Sequence, residues 1–393
     1  MCWQAIAEGA NGLFCYAFMS LKWAQKHDPF EKRWADVCRV ADEVKAHAGE
    51  LLSGERPPRL GPLPKGLSAR VWTLDGVKTV VLVNQGDAPL KGTLAVDGEE
   101  ISFDLKPLAV EFRNVNAPTL PNVKYGTHER QAMDVWLPRT EKGSRVPLVV
   151  EIHGGGWRNG TRYAARQMLV PPCLRAKVAL ASISYRLIAD ARAEGIDPPV
   201  SACVGDAVSA IRFLKSKADE WNLDVGRIML SGSSAGACSS LIAAFQNDCD
   251  LGIRLLYVRN PQTSLDPREM REWIPNVDYG PHAFGCGDFD EWLARRDELL
   301  PKIERYSPSA LIRKCTPAKA PRIIYLCNPV PGDGSLPRDP THAGMFSVKM
   351  RDLCKSRGIS CSQVRRVEPV FHTGEISWDQ MGLDEALAEL ISR

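Results

Sequence analysis

The sequence predicts an α/β fold for residues 120–393, and three observations carry that expectation. Apolar strand-like runs alternate with helical ones, a Gly-x-Ser-x-Gly run stands between one strand and one helix, and a His-Gly-Gly-Gly-Trp run closes an earlier strand. The expected strands are 132–137, 147–152, 178–184, 227–231, 253–258, 322–327 and 363–367. The expected helices are 199–221, 235–246, 342–357 and 378–391. Such apolar, β-branched strands suit a mostly parallel sheet with helices on both faces. The long interval Asn260–Ala318, with Trp273, Tyr279, Phe284, Phe289 and Trp292, interrupts the alternation and is expected to form a cap.

Composition narrows the field. With 393 residues, 44% hydrophobic and 25% charged, the chain has room for two or three domains with cores of their own. Fifty Lys and Arg against 47 Asp and Glu give a formal charge of +3 without a long run of one sign, so neither nucleic acid nor an anionic membrane is an expected partner. No apolar stretch reaches the ~18 residues that a membrane-crossing helix needs. The start, Met1-Cys2-Trp3-Gln4, lacks the basic region of a signal peptide, so these residues carry no expected export address; compartment and oligomeric state stay open. The twelve cysteines include no Cys-x-x-Cys pair and read as mostly buried free thiols.

Two proline-rich seams, Arg56–Pro64 and Asn114–Pro121, break the first third of the chain, because proline fixes φ and lacks the N–H donor. Between them, alternating runs separated by Asp75-Gly76, Gly86-Asp87 and Asp97-Gly98 predict a small antiparallel β module over residues 67–115. Ahead of the first seam, Gly12–Phe18 reads as a buried strand. Pro29–Leu52 reads as a helix through Trp34, Val37, Val40, Val44 and Leu51-Leu52. Residues 1–56 resemble the last strand and helix of a β-galactosidase-type glycoside hydrolase barrel, on Cys2-Trp3-Gln4-Ala5 and Gly9-Ala10-Asn11-Gly12-Leu13-Phe14-Cys15-Tyr16. The resemblance implies a strand–helix remnant without the strand ends that carry the glycosidase carboxylates, so either a truncated fusion or an accessory domain. A small helical and β-sandwich-like region is therefore expected ahead of the α/β part.

Two motifs carry chemistry. Gly232-Ser233-Ser234-Ala235-Gly236 follows the strand ending at Ser231 and opens a helical run. A serine on such a tight turn needs small neighbours because a Cβ beside it would collide with the sheet. About 80 residues earlier, His153-Gly154-Gly155-Gly156-Trp157 closes the strand 147–152, and its glycines can turn backbone N–H groups toward a developing oxyanion. With Met133–Pro138, Ser184-Tyr185-Arg186-Leu187, Asp206-Ala207 and Ile211-Arg212-Phe213-Leu214, these runs make residues 120–393 resemble esterases and lipases of the α/β-hydrolase superfamily. The nearest resemblance is to the hormone-sensitive-lipase-like and feruloyl-esterase-like carbohydrate esterases.

That resemblance implies an α/β-hydrolase fold, a serine nucleophile at Ser234, and oxyanion donors at Gly155, Gly156 and Ala235. It also implies the chain order serine, acid, histidine. Of seven histidines only His282, His342 and His372 follow Ser234. His282 falls in the expected cap and His342 at a helix start, whereas His372 lies in the loop after the last strand, where the family keeps its base. Asp333 in Asp333-Gly334-Ser335-Leu336-Pro337 fits the family's acid pattern. Asp339, nearer the helix, is the alternative acid or an N-cap.

The expected activity is serine ester hydrolysis of short acyl or aromatic esters, acetyl or feruloyl on carbohydrates, with no metal or organic cofactor. Small-molecule or polysaccharide esters are then the expected partners. Two other classes stand beside it. A serine peptidase of the same superfamily would use the same residues, and a carbohydrate-associated accessory protein would use none of them.

Overall fold

The computed structural model describes residues 2–9, 29–51, 60–74, 77–96, 99–138, 140–141, 143–165, 169–365 and 378–392. It divides into two compact units, 1–117 and 118–393, and the boundary falls inside the second proline-rich seam.

The first unit is built on alternation. Strands β1 (Leu67–Leu74), β2 (Val77–Asn84) and β5 (Val110–Val115) form an antiparallel sheet, while β3 (Leu90–Val96) and β4 (Glu99–Leu105) form a separate hairpin. The pairs Leu74↔Val77 and Val96↔Glu99 close β1–β2 and β3–β4 on either side of the two Asp-Gly steps, which themselves lie outside the described residues. Gly86-Asp87 instead lies in the crossing from one sheet to the other, so it is not a hairpin turn. On one face of the sheet Ala69, Val71, Val80 and Leu82 bury against Leu94, Ile101 and Phe103 of the hairpin; Gly92 leaves the space that the Phe103 ring fills. On the other face Trp72, Val81 and Val83 meet Trp3, Ile6 and Ala7 of helix α1 (Cys2–Ala7).

The helix expected over Pro29–Leu52 is two helices, α2 (Phe30–Ala46) and α3 (Ala48–Leu51), parted at His47. Among the described residues of its expected apolar face, Val44 and Leu51 join the core, and Trp34 is 40% exposed. The expected strand Gly12–Phe18 lies outside the described residues.

The second unit is one eight-stranded sheet in the order β13-β12-β11-β10-β8-β9-β7-β6. Its strands are β6 (Leu120–Lys124), β7 (Ala132–Trp136), β8 (Val146–Ile152), β9 (Ala179–Ile183), β10 (Leu223–Ser233), β11 (Leu255–Arg259), β12 (Arg322–Cys327) and β13 (Cys361–Arg365). All pairings are parallel except those of β7, which runs antiparallel to both β6 and β9. Side chains from successive residues enter opposite layers. Leu148, Val150 and Ile152 face the layer containing helices α6 (Val200–Ser216) and α7 (Ala235–Phe245), while Val149 faces α4 (Val170–Arg175) and α13 (Trp378–Ser392). A sheet covered on both sides explains why β7, β8, β9 and β11 are buried from end to end.

Helix α5 (Ile188–Ala193) precedes α6, and the segment between β11 and β12 adds α8 (Pro267–Trp273), α9 (Phe289–Ala294), α10 (Arg296–Tyr306) and α11 (Pro308–Lys314). The helix expected from His342 begins at Met345 as α12 (Met345–Ser356); His342 itself ends a short 3-10 turn, Pro340–His342. The ten cysteines from Cys38 to Cys361 are free, and all of them except Cys38 and Cys361 are buried.

Candidate active site

Ser234 is where β10 ends and α7 begins. Its backbone sits at φ 53°, ψ −123°, a conformation that an L-residue adopts only when its surroundings impose it. They do so through close packing. A Cβ on Gly232 would stand 2.5 Å from the Gly236 carbonyl carbon, and one on Gly236 would run into the carbonyl oxygen of Ile152. The Ser234 N–H donates to the Arg259 carbonyl at 2.9 Å, and the Ser234 carbonyl accepts from the Cys238 N–H at 3.0 Å, the first step of α7. The Ala235 N–H belongs to the helix's first turn, whose amides have no intrahelical acceptor and carry the positive end of the dipole.

Under the elbow lies a buried ion pair. Arg259 on β11 donates to Glu151 on β8 at 2.6 Å and to the Ser231 hydroxyl on β10 at 3.2 Å, so three strands are tied together one turn below Ser234. Glu151 and Arg259 are almost fully buried, and removing either would strand a charge at a cost of about 3–5 kcal/mol.

The glycine loop after β8 packs on the elbow from the other side. A Cβ on Gly154 would meet the Ser233 carbonyl oxygen at 2.7 Å, so only glycine lets the two backbones approach. Gly155 and Gly156 have φ of 97° and 62°, left-handed values in which glycine carries no penalty. Trp157 anchors the loop: it is fully buried and its indole N–H donates to the Ser239 hydroxyl on α7 at 2.9 Å. The His153 ring stacks on Tyr185, and burial drives its pKa down to about 4.

The group facing the serine is His342. Its Nε2 lies 2.9 Å from the Ser234 hydroxyl and its Nδ1 lies 2.7 Å from Asp339 Oδ2. With Nδ1–H donating to the carboxylate, Nε2 is free to accept the serine proton, the tautomer a general base requires. Asp339 also caps the turn, its Oδ1 accepting from the His342 backbone N–H at 3.2 Å. The turn is held from below: Gln262 donates to the Thr341 carbonyl at 2.7 Å, and Asn328 to the His342 carbonyl at 3.0 Å. Asn260 in turn accepts from the Asn328 backbone N–H.

Several expectations change here. Ser234 stands where expected, beside the loop of Gly155 and Gly156 and at the start of the helix whose first residue is Ala235. His372, the expected base, lies outside the described residues. Asp333 is exposed, and its carboxylate accepts from the Ser335 N–H at 3.0 Å. The carboxylate on the serine-facing histidine is that of Asp339, the alternative acid. In the sequence His342 stands only at the start of an expected helix, a position that does not by itself mark a base. The signal the sequence does carry is the spacing Asp339-Pro340-Thr341-His342: an N-cap aspartate uses one oxygen on the backbone and leaves the other for a side chain three residues on.

The strand order with its one reversed strand, and a strained serine between the fifth strand of that sheet in sequence and its helix, define an α/β-hydrolase fold. Residues 133–323 match the family model described as BD-FAE, a span that ends before Asp333, Asp339 and His342. Among curated relatives, the chain is 30% identical over 125 residues to the probable isoprenylcysteine alpha-carbonyl methylesterase ICMEL2 of Arabidopsis thaliana, covering 32% of this chain and 28% of that protein. It is 30% identical over 140 residues to carboxylesterase NlhH of Mycobacterium tuberculosis, covering 36% and 39%. The chain thus spans well under half the length of these relatives.

Among solved structures, one described as a truncated form of carbohydrate esterase from gut microbiota superposes with a TM-score of 0.53 at 17% identity, over 71% of this chain and 98% of that one. A bifunctional GH43-CE of Bacteroides eggerthii gives 0.55 at 16%, over 80% and 48%. At such identities the likeness is one of fold.

Proposed function

We propose that this protein is a serine ester hydrolase in which Ser234 is the nucleophile, His342 the general base, Asp339 the group that orients it, and the N–H groups of Gly155, Gly156 and Ala235 the oxyanion donors. The observation that carries the reading is the Ser234 hydroxyl, held on a strained elbow 2.9 Å from an imidazole nitrogen whose partner nitrogen is on a carboxylate. Ser234 attacks the ester carbonyl as His342 Nε2 takes its proton. The oxyanion forms against the loop amides and the start of α7, and the imidazolium returns the proton to the departing alcohol. Water then attacks the acyl-enzyme by the same route and releases the acid. No step of this sequence requires a metal or an organic cofactor. The matched relatives include proteins named as esterases, which supports the same reaction class.

The substrate we propose is a short acyl or aromatic ester, acetyl or feruloyl, on a carbohydrate. It rests on the sequence resemblance of residues 120–393 to carbohydrate esterases and of residues 1–56 to a glycosidase barrel end. The fold neighbour described as a carbohydrate esterase is in keeping with this substrate class. Turnover of p-nitrophenyl acetate by the wild type, lowered at least ~10⁴-fold in Ser234→Ala, is the expected result; equal rates would refute the serine mechanism. Cleavage of aminoacyl-nitroanilides in preference to esters would favour a peptidase. Release of acetate from acetylated xylan or of ferulate from methyl ferulate, compared with tributyrin, tests the substrate class.

A further inference from the structure

The mechanism uses the N–H groups of Gly155 and Gly156, and three consecutive glycines are the least self-supporting way to hold them. Each loop carbonyl shares its peptide plane with the N–H of the next residue, so the Gly154 and Gly155 carbonyls orient the Gly155 and Gly156 donors, and the Gly156 carbonyl fixes the peptide that directly follows them. Gly154 O is met by the His153 ring at 2.8 Å, and Gly155 O accepts from the N–H groups of Arg158 and Asn159 at 3.0 and 3.2 Å. Trp157 O accepts from the Ile188 N–H at 2.8 Å. The Gly156 carbonyl has a partner from much further away: His282 Nε2 at 2.9 Å, from the segment between β11 and β12.

His282 is built for that contact. It is 5% exposed, its ring meets Tyr279 edge-on at 5.1 Å, and it lies 6.0 Å from the Trp157 ring. A carbonyl only accepts, so Nε2 carries the proton, and Nδ1 is buried with no hydrogen-bond partner among the described residues. Burial, aided by the charge of Arg158, lowers the ring's pKa to about 4, which keeps it a neutral, single-tautomer donor at ordinary pH.

Resting on the esterase reading, we propose that His282 is a positioning residue: by clamping the Gly156 carbonyl it fixes the Gly156–Trp157 peptide, and with it the C-terminal side of the glycine whose N–H is the second loop donor, so the segment between β11 and β12 tunes transition-state binding from outside the triad. The clamp acts through the backbone that adjoins the oxyanion donors and not on the ground-state ester, so it belongs to kcat and not to KM.

The test uses the full chain with p-nitrophenyl acetate and a reversible aryl trifluoromethyl ketone, whose hemiketal oxyanion occupies the same hole. His282→Phe keeps a ring and deletes the donor, whereas His282→Gln keeps an N–H donor of similar reach. The expected result for His282→Phe is a kcat lowered about 10- to 100-fold with KM within about three-fold, and a ketone affinity weakened in proportion. His282→Gln should recover most of both. Unchanged kcat and ketone affinity in His282→Phe would overturn the proposal. So would a loss shared by both variants and accompanied by loss of the cooperative thermal transition, because that marks packing alone. A wild type no faster than Ser234→Ala would instead overturn the esterase reading beneath it.

Discussion

The two sides of the candidate site are built by opposite means. On the nucleophile side, the elbow and the glycine loop are fixed by backbone against backbone: carbonyls of Ile152 and Ser233 stand where a Cβ on Gly236 or Gly154 would go. Ser234 is forced into positive φ by the same packing. On the base side, residues 328–342 are fixed by single side-chain hydrogen bonds from Gln262 and Asn328, and by Asp339 capping its own turn. The first kind of construction has no tolerance, and the second has several degrees of freedom. The geometry of Ser234 is thus inherited from the sheet, whereas that of His342 depends on a few replaceable contacts.

That contrast can be broken or sharpened by substitution. Gly236→Ala should have the largest effect on the molecule as a whole, a loss of about 3 kcal/mol or more in denaturant unfolding, because its Cβ has only main chain to push against. A loss under about 1 kcal/mol would show that the elbow is softer than described. Asp339→Asn should lower kcat about 10²-fold with little change in stability. The ~10⁴-fold typical of a fully buried triad acid is not expected, since Asp339 is 55% exposed and its charge is screened by water. A full 10⁴-fold loss measured in the same assay would contradict that exposure argument.

Gln262→Leu should cost less still, about 1 kcal/mol and about ten-fold in kcat, by freeing the Thr341 carbonyl and the turn that carries His342. Wild-type kcat in that variant would mean that Asp339 alone sets the turn.

A different kind of effect is a slope with pH. Burial lowers the pKa of both His153 and His282 to about 4, below the ~6.5 of an unfolded chain. Above pH ~6.5 both are neutral in either state and contribute no slope. As pH falls from about 6.5 toward 4 the unfolded chain binds protons that the folded one does not, so stability drops by about 1.4 kcal/mol per pH unit for each histidine. Urea unfolding at pH 7, 6 and 5 should show that decline, and His282→Gln should reduce it by about one histidine's share. An unchanged slope in the variant would place the His282 titration elsewhere.

The same contrast decides what could be read from sequence. The strands of the second unit, the elbow and the glycine loop were legible because glycine identity, apolar runs and their spacing report local sterics directly. The hairpins of the first unit were legible through their Asp-Gly steps for the same reason. The break of the Pro29–Leu52 helix at His47 was not, since nothing in its periodicity marks it. Nor was the role of His282, whose partner is 126 residues away in the chain. His342 and Asp339 sit between these cases. Their spacing was visible, but a pattern that serves equally as a helix cap acquires meaning only when β12 and β10 bring the turn to Ser234.

The central claim is that the imidazole activating Ser234 belongs to His342, on the base-side turn after β12. Its most direct test is steady-state hydrolysis of p-nitrophenyl acetate by His342→Ala and His372→Ala side by side. The account predicts that His342→Ala loses at least ~10⁴-fold in kcat, while His372→Ala stays within a few-fold of the wild type. Loss of activity in His372→Ala with His342→Ala near wild type would contradict it.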